Sequence, residues 1–217
     1  MPFDFLRRRK APAGAEAATG HAGTAEAGGA EIRFEALTEE WRLVGTMHVE
    51  GRLSDVLNRR EAVPLSDVSW APLDGSGPFT VVPGLKSVDP YDLILVLAGA
   101  GTRPPLSEAE KAAFTVHKVP FDVAMEAPPF RIIGTVFMFP GTEPERLLDR
   151  GTEMFVLVVD AVAHFGDQQV SAPEVDSILV NRFYLRGIYG VDKRTGERPE
   201  KLPGRPLGGT SWQDKSG

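Results

Sequence analysis

Apolar and polar residues alternate through most of the middle of the chain, in short runs bounded by Gly, Pro, Asp and Ser, and that period of two predicts strands. From Trp41 to Glu50 one face carries Trp41, Leu43, Met47 and Val49, and the other Arg42, Thr46, His48 and Glu50, which predicts a half-buried strand. Val119, Phe121, Val123 and Met125 alternate in the same way. The strand that starts at Phe130 differs, because its face equivalent to the polar one carries Ile133, Phe137 and Phe139, the two phenylalanines standing where the earlier strand has His48 and Glu50, and Phe155 to Ala163 is almost wholly apolar. Such runs predict burial on both faces, with the first half of the chain or another subunit as the cover.

The strand-rich stretch Glu31 to Gly99 resembles a second stretch that follows it. Ile32-Arg33-Phe34-Glu35-Ala36 aligns with Val119-Pro120-Phe121-Asp122-Val123, and Trp41 to Met47 with Phe130 to Val136, where the Arg and the Gly-Thr pair are identical. Val63 to Val68 then aligns with Val156 to Ala161, and Asp92 to Val96 with Asp176 to Val180. Four blocks in one order at nearly constant offset predict an internal duplication. The fold class expected is mainly β: two tandem small β-barrel-like repeats, each of about five strands and one short helix, related by pseudo-twofold symmetry and sharing a core.

Helical signals are short. Leu53, Val56 and Leu57 have helical spacing, and Thr142-Glu143-Pro144-Glu145 reads as a capping box that brings Leu147 and Leu148 to a barrel end. Ser107-Glu108-Ala109-Glu110 repeats that pattern in the connector. The expected divisions are a basic segment and flexible linker at 1–30, repeats at 31–99 and 118–190, a connector with a short helix at 100–117, and a flexible tail at 191–217. Residues 11–30 are mostly Ala, Gly, Thr and Glu, without large apolar residues to anchor structure.

Charge changes this picture at the ends. Of 24 Lys and Arg and 30 Asp and Glu, residues 1–10 hold four and one, and residues 191–217 hold six and four. Residues 11–190 keep fourteen basic against twenty-five acidic side chains, a body that repels polyanions. The basic start joins Phe3, Phe5 and Leu6 to Arg7, Arg8, Arg9 and Lys10, a pattern suited to transient contact with an anionic membrane surface or to docking. No cysteine occurs, which removes disulfides and thiolate metal sites and fits a reducing cytoplasm. No apolar run reaches the roughly 18 residues of a spanning helix.

Chemistry-bearing patterns are few. The histidines at 21, 48, 117 and 164 form no recognised ligand pair, and no G-x-S-x-G is present. Gly99-Ala100-Gly101-Thr102 follows an apolar strand, but Pro104 and Pro105 remove amide donors that a phosphate loop needs. Asp67 and Asp160 each close an apolar run, and both are expected to accept backbone hydrogen bonds at a strand end or turn. Arg182 and Arg186, interleaved with Phe183 and Tyr184, have the residue types that stack bases and contact phosphates, though an ordinary amphipathic strand looks the same.

Arg52-Leu53-Ser54-Asp55-Val56-Leu57-Asn58, followed by Val63-Pro64-Leu65-Ser66-Asp67, resembles an uncharacterised bacterial domain family in which R-L-S-D-x-L-N precedes F-x-x-L-T-D-A. The second repeat keeps only an outline of it, in Arg146-Leu147-Leu148-Asp149 and Val159-Asp160-Ala161. The resemblance implies no activity. In layout the chain is similar to Sm-like small barrels. The resulting expectation is a non-catalytic protein-binding or assembly module, with no cofactor and no metal, whose partner is another protein or a second copy. The alternatives are a small-barrel nucleic-acid binder acting through Arg182, Tyr184 and Arg186, disfavoured by the acidic body, and a peripheral adaptor at the inner membrane face. The candidate interaction residues are Phe3, Phe5, Leu6, Arg7, Arg8, Arg9, Arg182, Tyr184 and Arg186.

Overall fold

The structure is a computed structural model that describes residues 29–99, 118–149, 151, 153–192, 194, 195 and 197. The first half contains β1 (Ala30–Leu37), β2 (Trp41–Val49), α1 (Leu53–Asn58), β3 (Val63–Pro64), β4 (Ser66–Pro72), β5 (Thr80–Val81), β6 (Ser87–Val88) and β7 (Leu95–Gly99). The second contains β8 (Val119–Ala127), β9 (Phe130–Met138), β10 (Phe155–Phe165), β11 (Gln168–Gln169), β12 (Val175–Asn181) and β13 (Gly187–Gly190). The connector helix expected at 107–113 and most of the two tails lie outside the described residues.

The chain is mainly β, as the alternation predicts, but its strands do not close into barrels. One antiparallel path runs β13-β8-β9-β10-β12-β7-β1-β2-β4-β5, with β11 appended to β10 and a separate β3–β6 pair. The reason is a matter of strand edges. A strand has two: β7 gives one to β1 and one to β12, while β12 gives one to β10 and one to β7. Neither has an edge left with which to close its own half. The order is therefore β4-β2-β1-β7 in the first half and β8-β9-β10-β12 in the second, so the two halves are not hydrogen-bonded strand for strand in the same way.

Burial on both faces falls on these two central strands. Leu95 and Leu97 of β7 and Ile178 and Val180 of β12 point into a second-half core with Val123, Met125, Phe130 and Ile132. Val96 and Ala98 of β7 and Leu179 of β12 point into a first-half core with Phe34, Leu43, Met47, Leu53 and Leu57. Helix α1 forms where Leu53, Val56 and Leu57 share a face, and Leu53 and Leu57 are buried under it. The expected capping box of the second half is instead a 3-10 turn at Pro144–Leu148, with Glu143 at its start and no side-chain cap. Leu147 and Leu148 still pack against the second core.

Two polar side chains tie the halves together. Asn58, at the end of α1, accepts from the N–H groups of Met154 at 2.7 Å and Phe155 at 2.8 Å. Fully buried Asn181 donates to the carbonyls of Leu93 at 2.8 Å and Pro90 at 3.3 Å, and accepts from the N–H of Phe183 at 3.0 Å.

Asp67 is the second residue of β4, close to the strand end expected for it, whereas Asp160 lies in the middle of β10. Each has a positive φ, +50° and +46°, inside β4 and β10, where the pairing with β2 and β9 shifts register. These are β-bulges, and an aspartate tolerates the left-handed conformation better than most residues. Opposite them stand the two glycines of the repeated Gly-Thr pair. A Cβ on Gly45 would lie 3.0 Å from the Ser66 carbonyl oxygen, and one on Gly134 would lie 2.6 Å from Val158 Cγ1 and 3.0 Å from the Ala161 Cα. Counted from these glycines, Phe34 pairs with Gly45 and Val123 with Gly134. The alignment of Phe34 with Phe121 is thus displaced by two residues from the positions the hairpins share.

Candidate protein-docking face

Strand pairing assembles a broad apolar surface on the outer side of β8, β9 and β10. Along β9 the period of two turns Phe130, Ile132, Val136 and Met138 inward and Arg131, Ile133 and Phe137 outward, with Phe139 just beyond the strand. Pro120 of β8 stands directly opposite Phe137, and Asp122 opposite Thr135. Val159 of β10 is the other neighbour of Thr135, and Leu157, two residues earlier on the same face, stands opposite Leu179 of β12.

That row marks where cover ends. Leu179 is buried in the first core, whereas Leu157, its cross-strand partner, is 44% exposed. Phe137 is 51% and Phe139 61% exposed. Burial on both sides, expected from the apolar runs of β9 and β10, holds only at the start of β10, where Phe155 enters the first core beside α1; the cover does not extend to Leu157 or Phe137. Scattered apolar side chains are normal on a protein surface, but a contiguous group on one sheet face is characteristic of an interaction site.

Polar groups rim this surface. The Thr135 hydroxyl donates to Asp122 at 2.7 Å, Arg131 pairs with Glu126 at 3.5 Å, and the Tyr189 hydroxyl donates to Glu126 at 3.1 Å. The Lys118 ammonium lies 5.6 Å from the centre of the Phe139 ring, a cation–π distance. On the first half the outer side of β1 and β2 is different in kind. Glu35, nearly buried, receives Arg42 in a salt bridge and Arg33 at 3.5 Å.

Most of the residues singled out in the sequence lie elsewhere. Phe3, Phe5, Leu6, Arg7, Arg8 and Arg9 are outside the described residues. Arg182, Tyr184 and Arg186 fall in the turn after β12 and its exit toward β13, not on a strand. Arg182 donates to the Asp149 carbonyl at 3.3 Å and pairs with Glu153 at 3.8 Å. Tyr184 donates to the Tyr91 carbonyl at 3.1 Å, Arg186 to the Phe183 carbonyl at 3.4 Å, and Phe183 packs on the Tyr91 ring at 5.6 Å. Phe183 leans on the first core and Tyr184 on the second, so the two rings face different ways. Burial, with Glu39 and Asp92 adding their charge, raises the Tyr184 phenol above its usual value. Burial and the neighbouring Asp89 likewise raise the Asp92 carboxyl.

A shallow cavity of about 190 Å³ lies between Arg42, Ala71, Leu73, Phe79, Gln168 and Val170. Its one charged group, Arg42, is already engaged by Glu35. Among the described residues no three His, Asp or Glu side chains are grouped to hold a metal ion, and no helix is long and apolar enough to cross a membrane. Comparison of the chain with protein-family models, with curated proteins and with solved structures gives no match. The signal that could have located this exposed apolar face was in the sequence: Phe137 and Phe139 hold outward positions, and only the assumption of a cover concealed it.

Proposed function

We propose that this protein is a non-catalytic binding or assembly module that engages another protein, or a second copy of itself, through the outer face of β8, β9 and β10. The observation that carries this reading is the uncovered apolar row of Phe137 and Leu157, continued by Pro120 and Phe139. Large aromatic anchors with a polar rim are the usual anatomy of a protein interface. The bulges at Asp67 and Asp160, each facing a Gly-Thr pair, support descent of both halves from one duplicated unit, with the β7–β12 pairing near the pseudo-twofold axis. In that pairing Val96 faces Leu179 and Leu95 faces Val180, a reciprocity limited to these two strands, because β7 has β1 on its other side and β12 has β10.

The test replaces Phe137 and Leu157 together by serine. Both are surface residues, so the melting temperature should stay within about 2 °C of the parent, since exposed substitutions usually cost within about 0.5 kcal/mol. Partner capture, or self-association by light scattering, should weaken about 30-fold or more if the pair forms a hot spot worth about 2 kcal/mol. Unchanged capture and unchanged mass in a folded double variant would remove this face from the function.

A further inference from the structure

A twofold dimer needs a face that complements itself, and the outer face of β8, β9 and β10 does so about one particular axis. Its rows run across the strands. Lys118 lies beside Phe139 in one row, Pro120, Phe137 and Leu157 form the next, and Asp122, Thr135 and Val159 the third. A half-turn about the middle row sets a second copy face to face with the first, reverses the strand direction and lays each strand over its own counterpart. Phe137 then meets Phe137, Leu157 meets Leu157, and Lys118 of each copy meets Asp122 of the other. Both charged residues are exposed, and the Thr135 hydroxyl, at 2.7 Å, orients the Asp122 carboxylate without neutralising it. We infer that the occupant of this face is a second copy of the chain, packed about an axis along the row of Pro120, Phe137 and Leu157. The inference rests on the reading of that face as a docking surface.

The other charges of the face agree with this axis. Glu126 and Arg131 pair with each other at 3.5 Å. Arg131 stands about 20 Å along β9 from Phe137, at about 3.3 Å per residue, so the half-turn carries that pair past Phe139 of the second copy. Asp160 falls near the ion pair of Glu153 with Arg182 in the second copy, whose charges cancel. An axis parallel to the strands gives no such match, because it sets β8 against β10 and brings the Asp122 carboxylate onto Val159. The apolar floor is three strands wide, about 14 Å at about 4.8 Å per strand, and short along them. That places the contact at the small end of specific interfaces, about 1,200 Å² or less, so the dimer dissociates on dilution.

Sedimentation of the full chain from about 10 μM to about 1 mM should show reversible dimerisation. Lys118→Glu sets two acids against each other at both contacts, and Asp122→Lys sets two cations; each variant alone should dimerise about tenfold more weakly. An equal mixture of the two variants restores an opposite pair at both contacts and should dimerise within about threefold of the parent. The chain has no cysteine, so single thiols can be placed on the face. A crosslinker of about 10 Å reach, the spacing of packed sheets, should join two copies of Pro120→Cys but not of Arg131→Cys, whose sites lie about 40 Å apart across the axis. Where Asp122→Lys unfolds through loss of the Thr135 contact, Lys118→Glu and the crosslinks decide. A mixture as weak as its components, or equal crosslinking through Arg131→Cys, would overturn the proposal. So would a parent that stays monomeric over the whole range. If that monomer captures another protein and loses it with Phe137→Ser and Leu157→Ser, only the second copy as occupant is refuted and the docking reading stands. Dimerisation unchanged by that double substitution refutes both.

Discussion

Asn58 offers the sharpest test of how the two halves hold together. Its side-chain oxygen is the acceptor for two N–H groups, those of Met154 and Phe155, and both residues are almost wholly buried. Asn58→Ala removes that acceptor and leaves the donors without a substitute in the described structure. A buried donor left unsatisfied costs about 1–3 kcal/mol, so the pair should cost roughly 2–4 kcal/mol once the site relaxes. At about 2–4 °C per kcal/mol for a chain of this size, thermal unfolding followed by circular dichroism should show a midpoint lowered by roughly 5–15 °C. Asn58→Asp keeps oxygen acceptors in the same place and should retain most of the stability at neutral pH. A midpoint shift under about 1 °C for Asn58→Ala would refute the reasoning, because so small a loss means the two amides find other partners. Equal damage from alanine and aspartate would refute it too, since the loss would then come from the amide group and not from the acceptor.

Two further outcomes concern the core and its charges. Gly134→Ala should cost about 1–3 kcal/mol in urea unfolding, because its Cβ would meet Val158 Cγ1 at 2.6 Å and the Ala161 backbone at 3.0 Å; a neutral result would mean that the bulge yields. Asp92, whose carboxyl is raised from its ordinary 3.8 first by burial and then by Asp89, is held more tightly as the protonated form in the folded chain. Its contribution is full below the unfolded value and is lost as pH rises through the folded one, so Asp92→Asn should raise the melting temperature at neutral pH and leave it unchanged near pH 3; an equal shift at both pH values would contradict this.

The alternation of Trp41 to Glu50 and of Val119 to Met125 was sufficient to read strands, and the spacing of Leu53, Val56 and Leu57 to read α1, because one buried face imposes its period on the residues. The open sheet was not legible. Whether β7 pairs with β12 or each closes its own half depends on competition between edges of equal composition, which no local pattern records. The Gly-Thr identity was visible, but not its cause: the requirement for a glycine opposite a bulge comes from a contact with Val158 or Ser66, more than twenty residues away. Aligning Phe34 with Phe121 failed for a related reason, since in a strand a slip of two residues preserves the inward face and only the cross-strand register exposes it. The exposed apolar face was half legible, its outward residues being clear from periodicity and its lack of cover only from packing.

Comparison of the two hairpins shows how local the change on that face is. Counted from Gly45 and Gly134, the outward positions of the strands correspond as Arg42 and Arg131, Val44 and Ile133, Thr46 and Thr135, then His48 and Phe137, and beyond the strands Glu50 and Phe139. The first three pairs are chemically alike; the last two exchange polar groups for phenylalanine. All four of these last side chains are exposed, so the difference does not serve the interior. Phenylalanine at both sites instead adds exposed apolar surface, an arrangement that makes sense if something else covers it. Phe137→His with Phe139→Glu, which gives the second hairpin the residue types of the first, should leave the unfolding midpoint within about 2 °C of the parent while lowering partner capture or self-association about 30-fold. If the exchanged protein binds as the parent does, the two phenylalanines are not the reason for the difference between the halves. If it unfolds many degrees lower, they belong to the packing of the second half and the face is smaller than its exposed surface suggests.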